Sequence, residues 1–85
     1  MAHIYILASE KDSSYYVGTA QDVAVRIAQH NAGSVRSTKA GRRWKLLFTK
    51  VCATMAEART LQAKVKSWKK RAAIENFINR ESSKT

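Results

Sequence analysis

The chain has 85 residues, 45% of them hydrophobic, and a formal net charge of +10. That length suits one domain over residues 1–85 with a single thin core, since so small a domain buries only about 60% of the surface its unfolded chain exposes. The composition excludes a disordered chain, and no apolar run approaches the ~20 residues that span a bilayer.

His3-Ile4-Tyr5-Ile6-Leu7 is a short apolar and aromatic run, and Tyr15-Tyr16-Val17-Gly18 is a second, joined by the polar turn Ser9 to Ser14. The pair predicts a β-hairpin with a flexible tip. From Asp22, the residues Val23, Ile27 and Ala28 recur at helical spacing, which predicts a helix to about Ala32 with Gly33 as a left-handed stop.

Residues 34–43 are small, polar and basic, and predict a loop that contacts phosphate. Trp44 to Cys52 then reads as a third strand, with Trp44, Leu46 and Phe48 expected on one face and Lys45 and Leu47 on the other. Cys52 is the sole cysteine, so no intramolecular disulfide or thiolate zinc cluster can form. It is expected as a buried strand residue in a reducing, cytoplasmic setting, with no leader segment at the amino terminus.

Thr54 with Glu57 forms a capping box ahead of a long amphipathic helix striped by Ala58, Leu61, Val65 and Trp68. Ala72, Ala73, Ile74, Phe77 and Ile78 predict a further helix after a bend near Arg71, and Arg80 to Thr85 reads as a frayed tail. Both tryptophans fall at positions suited to the core rather than to stacking on bases.

The charge is concentrated. Between Arg36 and Arg71 twelve lysines and arginines face the single acid Glu57. Counterion release makes a phosphate backbone the usual partner of such a segment. The candidates for contact are Arg36, Lys39, Arg42, Arg43, Lys64, Lys66, Lys69 and Lys70. A solvated basic face would account for the charge alone, whereas a membrane surface would need an apolar helix face free of the core.

Two hairpin tyrosines are ordinarily packing residues. Here Tyr5, then Tyr16-Val17-Gly18, then Arg26 and His30 on the following helix come in a fixed order, and that order strongly resembles the GIY-YIG nuclease superfamily. The likeness is to its small stand-alone members and runs from His3 to about Ile78. It also takes in His30-Asn31-Ala32-Gly33, Thr38-Lys39, Arg42-Arg43-Trp44-Lys45-Leu46, Glu57-Ala58 and Lys66-Ser67-Trp68-Lys69.

The resemblance implies an α/β (α+β) fold, a three-stranded antiparallel sheet flanked by helices. It also implies a DNA endonuclease that hydrolyses phosphodiesters with one divalent ion, Mg2+ or Mn2+. Asp22, Arg26 and His30, at i, i+4 and i+8, share one helix face, and Asp22 is placed to pair with Arg26. An arginine fork can stabilise the charge on non-bridging oxygens, the role expected of Arg26. By resemblance Tyr5 takes or relays the proton of the attacking water, with Tyr16 and His30 orienting water and phosphate.

One position departs from the pattern. The family's metal-ligand glutamate lies five residues after the Glu-Ala pair, which here is Gln62, and the following Val65-Lys66-Ser67-Trp68 gives the same register. A neutral amide is a poorer ligand for a hard cation, so metal binding and cleavage are expected to be impaired. Glu57 is a poor substitute, about 140° away around the helix. An engineered trap, a natural loss of cleavage, and a site where substrate phosphate and waters hold the ion all fit Gln62. Ala20, where the family often has threonine, is a second departure. Three readings follow: an impaired endonuclease preferring single-stranded or branched DNA, a non-catalytic module binding DNA or RNA, and an RNA- or ribosome-associated structural protein. The third leaves Tyr5, Tyr16, Arg26 and His30 unexplained, and DNA is favoured over RNA.

Overall fold

The computed structural model describes residues 2–11, 14–32, 43–68 and 70–82. Among them the order is β1 (Ala2–Ser9), β2 (Tyr15–Ala20), α1 (Val23–Asn31), β3 (Trp44–Cys52), α2 (Met55–Ser67) and α3 (Arg71–Ser82). The strands form one antiparallel sheet in the order β2-β1-β3, the α+β arrangement expected.

The central place of β1 explains its composition. Ile4, Tyr5, Ile6 and Leu7 are all fully buried, because both faces of the strand are covered and a continuous apolar run replaces alternation. Ile4 and Ile6 pack with Val17, Phe48, Ala58, Val65 and Phe77 on the α2 and α3 side. Tyr5 and Leu7 pack with Ala20 and Trp44 on the α1 side, where Tyr16, Val23 and Ile27 join them.

Strand β3 corrects one expectation. Its register against β1 passes from Ile6 opposite Phe48 to Leu7 opposite Leu46, so Leu47 is an extra residue that flips the alternation at a bulge. Trp44 and Phe48 therefore occupy opposite faces, each in a different core cluster. The bulge leaves Leu46 and Leu47 about two-fifths exposed, at 39% and 40%.

Asp22 does not pair with Arg26. It is the N-cap of α1, where its carboxylate accepts from the Val25 amide at 3.2 Å. The α1 C-cap is Ala32, in a right-handed conformation; the stop expected at Gly33 lies outside the described residues. Thr54 caps α2 by accepting from the Glu57 amide at 3.1 Å. Trp68 and Phe48 both pack edge-on against Phe77. The tail reading at Arg80 is also corrected, since α3 continues to Ser82 and Glu81 accepts from Lys50 Nζ at 2.7 Å.

Candidate functional site

Tyr5 and Gly18 are register partners across β1 and β2. The phenol lies over the glycine so closely that a Cβ on residue 18 would stand 2.5 Å from Tyr5 Oη and 2.6 Å from its Cζ. Only an absent side chain provides that floor. Tyr16 is two residues earlier on the same strand face and puts its ring centre 6.4 Å from that of Tyr5.

Helix α1 closes this face from above. Its last turn carries His30, 1% exposed, whose Nε2 lies 2.9 Å from Tyr5 Oη in a buried hydrogen bond. The His30 ring also meets Tyr16 edge-on at 4.8 Å between centres. The next residue fixes the helix end: Asn31 accepts from the Trp44 amide at 2.7 Å and donates to its carbonyl at 3.3 Å. This clamp joins the end of α1 to the start of β3, and Trp44 in turn packs against Tyr16.

Arg26 precedes His30 by one turn. Its Nη1 donates to Gln29 Oε1 at 2.9 Å, and its charge acts on both Tyr5 and His30. Burial pushes the Tyr5 phenol above its ordinary pKa, and the Arg26 hydrogen bond offsets only part of that shift. Burial also pushes His30 below its ordinary value, and the Arg26 charge adds to the fall. At neutral pH the pair is thus an uncharged phenol and an uncharged imidazole with a proton held between Oη and Nε2.

Gln62 approaches from the opposite side of the sheet edge. Its Nε2 donates to the Val17 carbonyl at 3.1 Å, and its Oε1 accepts from Thr19 Oγ1 at 3.4 Å. Both partners lie on β2, an edge strand. The donor set does not suit a hard divalent cation, because the amide is committed to a main-chain carbonyl and a hydroxyl. Among the described residues no group of three or more histidines, cysteines or acids could hold a metal. Glu57 lines a different groove, with Lys50, Thr60 and Leu61.

The basic residues expected to meet phosphate divide. Lys66 places Nζ 5.5 Å from the Tyr16 ring centre, while Lys64 lines the Glu57 groove. Arg43 and Lys70 are exposed, and Arg36, Lys39, Arg42 and Lys69 lie outside the described residues. Sequence reasoning passed over Gln29 and Asn31. The first carries a weak signal, three positions from Arg26 on a helix; the second falls inside the quoted His30-Asn31-Ala32-Gly33 segment, but nothing there discloses its bonds to residue 44.

Two tyrosines of the hairpin thus lie beneath the helix that carries Arg26 and His30, within a three-stranded antiparallel sheet with helices. The family model described as the GIY-YIG catalytic domain matches residues 1–79, and the chain belongs to the GIY-YIG family. Among curated proteins it is 35% identical over 79 residues to the UPF0213 protein of Streptococcus pneumoniae serotype 4, covering 92% of this chain and 78% of that one. A UPF0213 protein from another strain of the species matches with the same identity and coverage. No solved structure matches the chain. The family is of nuclease type, with nucleic acid as the partner its domain suggests, and its nucleases generally use a divalent metal. No helix among the described residues is long and apolar enough to cross a membrane.

Proposed function

We propose that residues 1–85 form one domain that acts as a structure- or single-strand-preferring DNA endonuclease of the GIY-YIG type, impaired at Gln62. The observation that carries this reading is the buried Tyr5–His30 hydrogen bond beside Arg26 and Tyr16, an arrangement that charge-driven binding alone does not require. In the proposed step Tyr5 Oη accepts a proton from the attacking water while passing its own to His30 Nε2, leaving an imidazolium. The proton then ends on the imidazole rather than leaving a phenolate, and a bound phosphate anion offsets the burial and Arg26 charge that disfavour the imidazolium. Arg26 stabilises charge on the non-bridging oxygens. The leaving oxygen has no comparable partner, because Gln62 is neutral and tied to Val17, and the missing charge neutralisation slows cutting.

The engaged Gln62 amide also favours a second reading, a module that binds nucleic acid without cutting it. The preference for single-stranded or branched DNA rests on a small domain with few base-reading side chains. The buried lone Cys52 supports a reducing, cytoplasmic location. The test incubates labelled single-stranded, duplex and branched DNA with the protein and with Gln62→Glu, in Mg2+ or Mn2+. Binding by both with faster cutting by the variant is expected. Binding by both with cutting by neither selects the module, and no DNA binding by either at low salt removes both readings.

A further inference from the structure

Gln62 and Lys66 stand one turn apart on α2, so the bonds that fix the first also aim the second. Gln62 is held to Val17 and Thr19 on the edge strand, and from there Lys66 reaches the Tyr16 ring. That ring also packs against His30. The cluster is therefore bordered by a cation from each of two helices, Arg26 on α1 and Lys66 on α2.

Four of the five acids among the described residues have contacts away from the cluster. Asp22 caps α1, Glu75 accepts from Tyr15 and Arg71, Glu81 accepts from Lys50, and Glu57 lines its own groove. Lys66 beside the Tyr16 ring and Arg26 acting on Tyr5, with Gln62 neutral, make a field that draws an anion and repels a divalent ion. A phosphate can accept from a guanidinium on one side and an ammonium on the other.

We infer that this cluster takes a nucleic-acid backbone phosphate without any metal ion, gripped between Arg26 and Lys66, with Lys66 supplying charge from the helix that carries Gln62. This deepens the proposed function and rests on it for the nucleic-acid source of the phosphate. The phosphate site itself is testable apart from that source.

The experiment follows His30 and tyrosine ring resonances by NMR in excess EDTA, titrating first inorganic phosphate and then a short oligothymidylate. Both titrations are expected to move the His30 signals, and added Mg2+ should tighten neither. Lys66→Gln should weaken oligothymidylate binding about tenfold, and Lys66→Arg should restore most of it. Lys11→Gln, removing the same charge at the hairpin turn, should lose only the general electrostatic share. His30 signals that stay still in EDTA but move with Mg2+, or equal losses from Lys66→Gln and Lys11→Gln, overturn the inference while DNA binding stands. Movement with phosphate but none with oligothymidylate keeps the metal-free anion site and removes the nucleic-acid source.

Discussion

The Tyr5 phenol rests on Gly18, with no room for a methyl group between them: an added Cβ would lie 2.5 Å from Oη. Because Tyr5 is fully buried, the ring has nowhere to retreat. Gly18→Ala should cost about 1–3 kcal/mol in urea unfolding and break the bond to His30. Adding Tyr5→Phe should recover only part of the loss, since Cζ remains in contact with residue 18. Full stability in Gly18→Ala would show that the ring can shift freely.

Stability should depend on pH through the same pair. His30 has a folded pKa below its ordinary 6.5, so the unfolded chain binds more protons in that window. Its contribution is present above about pH 6.5 and is lost as pH falls through the folded value. Tyr5 has the opposite sign: its folded pKa lies above 10.0, so its contribution is present below pH 10 and is lost as pH rises through the folded value. Unfolding measured against pH should therefore show a plateau from about 6.5 to 10. His30→Gln should flatten the acid limb, and an unchanged limb would place its origin elsewhere.

Gln62→Glu should have two separable effects. A carboxylate cannot donate to the Val17 carbonyl as Gln62 does, and the lost tether should destabilise the protein by about 1–3 kcal/mol. The same change restores an anionic oxygen for a divalent ion. Thermal unfolding with and without Mn2+ separates the two: the variant should melt lower alone and regain stability with the ion, while the parent should not respond.

Asn31→Ala removes both bonds to the main chain of Trp44. About 1–3 kcal/mol of stability should be lost, with faster hydrogen exchange at the Trp44 amide. Protection equal to the parent would show that the clamp is dispensable.

The sequence made most of the architecture legible, because β1 is apolar throughout, Asp22 and Thr54 cap the helices they precede, and the stripe of α2 has helical period. It failed where geometry depends on distant partners. The bulge at Leu47 follows from pairing with β1 and reverses the face of Phe48. The α3 end, read as frayed, is helical because Glu81 meets Lys50 far away in the chain. At the site, the order of Tyr5, Tyr16, Arg26 and His30 announced the cluster. The commitment of Gln62 to Val17 could not be read, since an amide in a sequence does not disclose which carbonyl it will meet.

The central claim is that Tyr5 and His30 form the proton path of a phosphodiester site held back at residue 62. Single-turnover cleavage of labelled branched DNA in Mn2+ tests it most directly, comparing Gln62→Glu with Gln62→Glu carrying Tyr5→Phe or Arg26→Ala. The first should cut at least about tenfold faster than the parent, and each double variant should lose the gain while unfolding cooperatively. Cutting by the double variants at the rate of Gln62→Glu would contradict the claim.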